Sequence, residues 1–248
     1  MKLPPVAVGF GGAFLLLATC VAGVFGEQET RTEKSSGQKP GAPDEKSEKR
    51  TLGVVLFPGF ELLDVCGPAE MFGNLGGRMR VIMVAEHAGP VGSTQGTKLV
   101  ADYSFADCPR LDLILVPGGF GTLAQLNKPV LLDWLKDRAA KAEMVTSVCS
   151  GASILAKAGL LDGRPATTNK QFYTMCTAPG PKVKWVKEAR WVDDGNIVTS
   201  SGVSAGMDMA LHVIARLYGT EAAERIANGT EYQWQRDAKV DPFAKFAK

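Results

Sequence analysis

Apolar residues along this chain fall into two kinds of run. Thr51–Phe57, Arg80–Ala85, Leu111–Val116 and Glu143–Val148 are short, branched and nearly continuous, which predicts buried strands. Leu62–Phe72, Val130–Ala142, Ala152–Ala158, Ser204–Tyr218 and Glu221–Asn228 predict helices. In Val130–Ala142, for example, Leu131, Trp134, Leu135 and Ala139 share one helical face. Gly89–Phe105 mixes alternating segments with Gly, Ser and Thr and predicts a hairpin excursion. Ala166–Thr168 reads as a short strand. Trp185–Val192 and Asn196–Ser200 flank the turn signal Asp193-Asp194-Gly195 and predict a second hairpin. Strands that alternate with helices predict an α/β fold, a mostly parallel sheet with helices on both faces.

The pattern breaks at the N-terminus. Met1–Gly26 carries Lys2 and then an almost uninterrupted apolar run, which reads as a signal peptide or an N-terminal membrane anchor. Leu17-Ala18-Thr19-Cys20 is a weak lipoprotein-like signal, with Thr19 awkward for it and an apolar run continuing beyond Cys20. Residues 27–50 hold six acidic and six basic residues among Ser, Gly and Pro, with no large apolar side chain. Such a segment cannot bury enough surface to fold, and it reads as a flexible charged linker. The expected domain is therefore exported, or anchored with its folded part outside the cytoplasm. Its contact with a membrane would run only through the N-terminal segment.

Composition narrows the function classes. The net charge is +2 over 248 residues and +1 for the part beyond the linker, so there is no basic footprint for nucleic acid. About 198 residues beyond the linker suit one domain with a sizeable core. Of five cysteines, Cys20 falls in the leader, and Cys66, Cys108, Cys149 and Cys176 are scattered. With only His87 and His212 besides, no spacing suggests a metal site or a disulfide framework. Cys66, Cys108 and Cys176 read as packing residues, His212 as a helix packing position and His87 as a solvated loop residue.

Candidate chemistry centres on Met144-Val145-Thr146-Ser147-Val148-Cys149-Ser150-Gly151-Ala152. A strand stops at a cysteine, small residues sit two places to either side, and a helix follows. This is the pattern of a nucleophile elbow, a sharp strand-to-helix turn that presents one side chain above the sheet. A cysteine at a helix N-terminus is expected to favour thiolate. The competing reading is an inert buried cysteine. Asp64, between apolar neighbours near the start of a helix, is either a dipole-stabilising carboxylate or a partly neutral acid that faces the thiol. Gly118 and Gly119 form either an ordinary turn or, with the Ser150 N–H, a set of donors for a developing oxyanion. Asp208 could cap its helix or approach the site.

Several motifs in order extend this reading. They are Phe57-Pro58, Leu63-Asp64 with Gly67-Pro68, Ser104 to Pro109, Val116-Pro117-Gly118-Gly119, Val145 to Cys149, Ala158 to Leu161, Ala166-Thr167-Thr168 and Asp194-Gly195-Asn196. With them the segment from Thr51 to Asp237 resembles the ThiJ/PfpI superfamily, of glutamine-amidotransferase-like, flavodoxin-type fold, and within it the isocyanide (isonitrile) hydratases. Residues 238–248 then remain as a short tail.

The resemblance implies that Cys149 is the nucleophile and Asp64 its acid/base partner. Ser150 stands where the hydratases carry threonine, and its hydroxyl would orient water or the intermediate. The implied reaction is hydration of a small-molecule isocyanide to an N-substituted formamide through a thioimidate, with no metal or organic cofactor. A homodimer with the site near its interface is also implied. Asn169 and Lys170 replace the histidine and the aromatic residue found in many relatives, which predicts a polar, cationic pocket wall. Ser150, where the PfpI-type peptidases place histidine, argues against peptidase activity. Two further readings stay open: glyoxalase or deglycase chemistry on 2-oxoaldehydes, usually associated with a glutamate near position 64 and a histidine by the cysteine, and a thiol redox sensor or ligand-binding domain.

Overall fold

The computed structural model describes residues 49–248. The predicted leader, Cys20 and almost all of the predicted linker lie outside these residues. The chain enters the fold at β1 (Arg50–Val55), one residue before the expected boundary, and Arg50 Nε donates to Glu143 Oε2 at 2.6 Å. There follow α1 (Leu62–Gly73), β2 (Met79–Ala85), the hairpin β3 (Gly89–Gly92) and β4 (Lys98–Ala101), β5 (Tyr103–Ser104) and β6 (Leu113–Val116). Next come α2 (Thr122–Gln125), α3 (Pro129–Ala139), β7 (Met144–Ser147) and α4 (Gly151–Lys157). The chain continues through β8 (Pro165–Ala166), α5 (Tyr173–Thr177), β9 (Lys184–Trp185), β10 (Trp191–Asp194) and β11 (Ile197–Ser200). It then forms α6 (Ala205–Tyr218) and α7 (Thr220–Gly229).

Seven strands form the central sheet in the order β10-β11-β7-β6-β1-β2-β5, parallel throughout except at the β10–β11 hairpin. Every residue of β6 and β7 is buried, as expected for central parallel strands covered on both faces. Helices α1, α6 and α7 pack together, and α2, α3 and α5 gather around α4 as a second group. Burying a side chain such as Leu113, Ile114 or Leu115 contributes about 1.5–3 kcal/mol of transfer free energy, so this sheet is a rigid platform. No described helix is long and apolar enough to cross a membrane.

Several segments differ from the sequence expectation. Of the expected strand Trp185–Val192 only Trp185, in β9, and Trp191-Val192, in β10, are strand, and Asp193-Asp194 continue β10 to a turn at Gly195-Asn196. The strand expected at Ala166–Thr168 is only Pro165–Ala166, and it pairs with β9 outside the main sheet. Pro165 has no N–H to donate, which keeps so short a strand at an edge. Residues 238–248 are packed on the domain: Ala238 O accepts from Arg190 N at 2.7 Å, and Asp241 and Ala247 are buried. Cys66 is exposed on α1 instead of packed inside.

Candidate active site

The elbow takes shape because β7 ends between two buried neighbours and the chain must leave the sheet at once. Cys149 adopts φ 56°, in the left-handed region, at a cost of roughly 1–2 kcal/mol for a residue with a Cβ. Backbone partners hold it there. Cys149 N–H donates to Ser201 O at 3.0 Å, and Thr168 Oγ1 donates to Cys149 O at 2.8 Å. The expected need for small residues is met at Gly151, where a Cβ would overlap the Val116 carbonyl oxygen.

Asp64 sits in the first turn of α1 with no exposed surface. Its Oδ2 accepts the Gly118 N–H at 2.8 Å, while Oδ1 is buried with no hydrogen-bond partner. Burial pushes this carboxyl up to about 8; the Gly118 N–H opposes that shift, and Glu61 adds to it. Asp64 is thus a protonated acid at neutral pH, coupled to Cys149, and the dipole-stabilising reading does not hold. The oxyanion role expected of Gly118 and Gly119 also needs correction. Gly118 N–H is taken by Asp64, and Gly119 N–H donates to Ser150 Oγ at 3.1 Å. These amides position the acid and the serine, which leaves the Ser150 N–H facing the sulfur.

The Cys149 side chain receives a hydrogen bond from Asn169 Nδ2 at 3.0 Å. The amide orientation is fixed from its other end, because Phe172 N–H donates to Asn169 Oδ1 at 2.9 Å. Contrary to the thiolate expectation, the thiol is raised well above its ordinary range. Burial is the main cause and Asp64 the second; the Asn169 amide and the Ser150 N–H oppose them. Asp64 raises the thiol, whereas the Cys149 side chain offsets part of the burial of Asp64; burial raises both groups, so the pair carries at most one negative charge near neutrality. Ser150 Oγ lies 2.9 Å from Thr122 Oγ1, and Ser150 lines the cleft above the thiol.

That cleft has a volume of about 290 Å³. Cys149, Ser150 and Asn169 meet there with an apolar wall of Phe120, Leu123, Phe172, Met175 and Val203. Phe120 and Phe172 stand edge to face at 5.9 Å, and they are 67% and 44% exposed. Lys170 does not make this wall cationic. It is turned away and 2% exposed, and its Nζ donates to Thr167 Oγ1 at 2.5 Å and Ala189 O at 2.8 Å. Sequence reasoning missed the apolar wall and Glu61, which also lines the cleft. None of these residues has a chemical signature, although Phe120 follows the Gly118-Gly119 turn and could have been suspected from it.

The remaining candidates lie apart from the thiol. Asp208 is buried and accepts from Arg190 Nε at 2.7 Å. His212 is half-buried on α6, where its ring packs against Trp191 at 5.6 Å between centroids, as expected, and it also pairs with Asp193 at 2.7 Å. Cys108 and Cys176 are buried, as expected. Among the described residues no cluster of His, Cys, Asp and Glu could hold a metal ion.

The fold has known counterparts. Isonitrile hydratase of Pseudomonas putida is 38% identical over 181 residues, which cover 73% of this chain and 78% of that protein. The transcriptional regulator GbdR of Pseudomonas aeruginosa is 28% identical over 208 residues, and the matched segment spans only 56% of its length. A ThiJ/PfpI family protein of Pseudomonas syringae superposes with a TM-score of 0.70 at 33% identity, covering 84% of this chain and 85% of that one. The DJ-1/PfpI family pattern itself matches residues 50–216, from the first strand through most of α6, so the chain belongs to the DJ-1/PfpI family.

Proposed function

We propose that this protein hydrates an isocyanide to an N-substituted formamide, with Cys149 as nucleophile and Asp64 as acid and base. The observation that carries the reading is a fully buried carboxyl with one unpartnered oxygen, held by Gly118 against the elbow whose thiol forms the floor of an apolar cleft. The reacting form of the pair is a thiolate beside neutral Asp64. The thiolate adds to the terminal isocyanide carbon while Asp64 delivers its proton to that carbon, giving a neutral thioimidate. Asp64, now a carboxylate, takes a proton from water as the oxygen adds to the thioimidate carbon. The second water proton goes to nitrogen, the C–S bond breaks, and formamide and thiolate are released. In this reading Ser150 Oγ holds the water, and the Ser150 N–H and Asn169 Nδ2, which contact the sulfur, stabilise its anion.

The apolar wall suits a substrate with an uncharged hydrocarbon substituent. The likeness to isonitrile hydratase supports the same reading. A buried, raised thiol speaks against an open redox sensor, and the carboxylate of Asp64 with the amide of Asn169 against the 2-oxoaldehyde reading. The decisive experiment follows formamide formation from a small aliphatic isocyanide under reducing conditions, with Cys149→Ala in parallel. Turnover lost in the variant supports the reading, and no turnover by folded protein with a titratable thiol discards it.

Two further parts of the proposal concern setting. The exposed Phe120, Leu123 and Phe172 would be covered in a homodimer, which light scattering of the purified protein tests. The apolar Met1–Gly26 segment supports work outside the cytoplasm, which fractionation of cells expressing the full chain tests.

A further inference from the structure

The amide that touches the thiol is held from an unexpected direction. Asn169 lies in the turn after β8, and the next residue is a buried lysine. Lys170 Nζ draws together Thr167 Oγ1, Thr168 O at 3.3 Å and Ala189 O, so it cross-braces the turn on both sides of Asn169. Thr168, on the other flank, holds the Cys149 carbonyl. The counter-charge for Lys170 comes from the C-terminal strap. Asp241 Oδ2 lies 3.9 Å from Lys170 Nζ, and Asp241 Oδ1 lies 3.8 Å from Arg190 Nη1. Asp241 Oδ2 is buried without a hydrogen bond, so the two cations are what compensates its charge. Arg190 is in turn anchored on Asp208, at 2.5 Å through Nη2. Glu188 and Tyr173 are the other titratable groups near Lys170.

We infer that Asp241 and Lys170 are positioning residues of the active site, through which residues 238–248 hold Asn169 Nδ2 on the Cys149 sulfur. The strap therefore sets thiol reactivity without touching substrate. This inference requires Cys149 to be a reactive thiol, and it does not require isocyanide to be the substrate.

The test measures alkylation of Cys149 by iodoacetamide as a function of pH, in the full chain purified in mild detergent. Peptide mass spectrometry separates Cys149 from exposed Cys66, and a thermal melt verifies folding. Asn169→Ala sets the scale: loss of one hydrogen bond to an anion slows the reaction at neutral pH about tenfold and moves its pH midpoint upward. Asp241→Asn is expected to reproduce both changes, and Asp241→Asn with Asn169→Ala to be no slower than Asn169→Ala alone. A wild-type rate and midpoint in Asp241→Asn, or effects of the two substitutions that multiply, would overturn the inference. If Asp241→Asn does not fold, Lys170→Met takes its place in the same cycle with the same two outcomes, since it leaves Asp241 its Arg190 partner. Hydration lost with a normal alkylation cycle would count against the substrate and not against the strap.

Discussion

Gly118 donates its N–H to Asp64 Oδ2 at 2.8 Å and lies directly against the Cys149 elbow, so one residue without a side chain fixes both Asp64 and Cys149. A Cβ at position 118 would stand 2.5 Å from both Ser150 N and Ser150 Oγ. Backbone cannot yield as a flexible side chain does, so Gly118→Ala must displace the elbow. A shift approaching 1 Å costs on the order of 100-fold in turnover. Isocyanide hydration by the variant, compared with its melting curve, measures this; near-normal turnover would refute it.

Asp64→Asn should be inactive yet more stable. The folded protein holds the Asp64 proton up to about 8, against an ordinary value of 3.8. Between those limits the unfolded chain ionises and the native site does not, so stability falls as pH rises through this window. Asparagine escapes that cost. We expect its melting temperature at pH 7 to exceed wild type by at least about 3 °C, with the gain shrinking toward pH 4. An equal or lower melting temperature at pH 7 would show that Asp64 is not held protonated.

Activity should be bell-shaped in pH. The reactive pair must carry one negative charge, and below about 8 Asp64 keeps its proton beside a thiol that is itself raised. Hydration is expected to climb as the first proton leaves near pH 8 and to fall when the second leaves. A kcat/KM profile that stays flat from pH 6 to 10 would contradict this assignment.

The cleft wall should govern specificity more than rate. Phe172→Ser removes apolar contact from the substituent and leaves Cys149, Asp64 and the Phe172 N–H in place. The KM of an isocyanide with a bulky hydrocarbon group is expected to rise about tenfold, with kcat little changed. The smallest isocyanides should be nearly indifferent. A uniform loss of kcat for both would refute the binding role.

The strands and the elbow were legible because their chemistry is local. The run from Met144 to Ala152 carries its own strand, turn and helix signals, and Gly151 is small for a reason readable from spacing. What could not be read depends on distant contacts. Lys170 looks like a pocket cation until the strap supplies Asp241 and turns it inward. Gly118 and Gly119 look like oxyanion donors until Asp64 and Ser150 claim their N–H groups. The thiol was expected to ionise on the helix-terminus argument. That term is smaller than the desolvation of a fully buried sulfur beside another acid.

The strand order has a kinetic corollary. Asp64, Gly118, Cys149 and Asn169 follow β1, β6, β7 and β8, and β1 pairs with β6 across some sixty residues of intervening chain. Long-range parallel pairings are slow to form because the loops must close before any contact rewards them. No single hairpin or helix pair contains more than a fragment of the constellation. During refolding, helical signal should therefore return ahead of a competent thiol. Recovered catalysis will be a stricter gauge of the native state than recovered secondary structure.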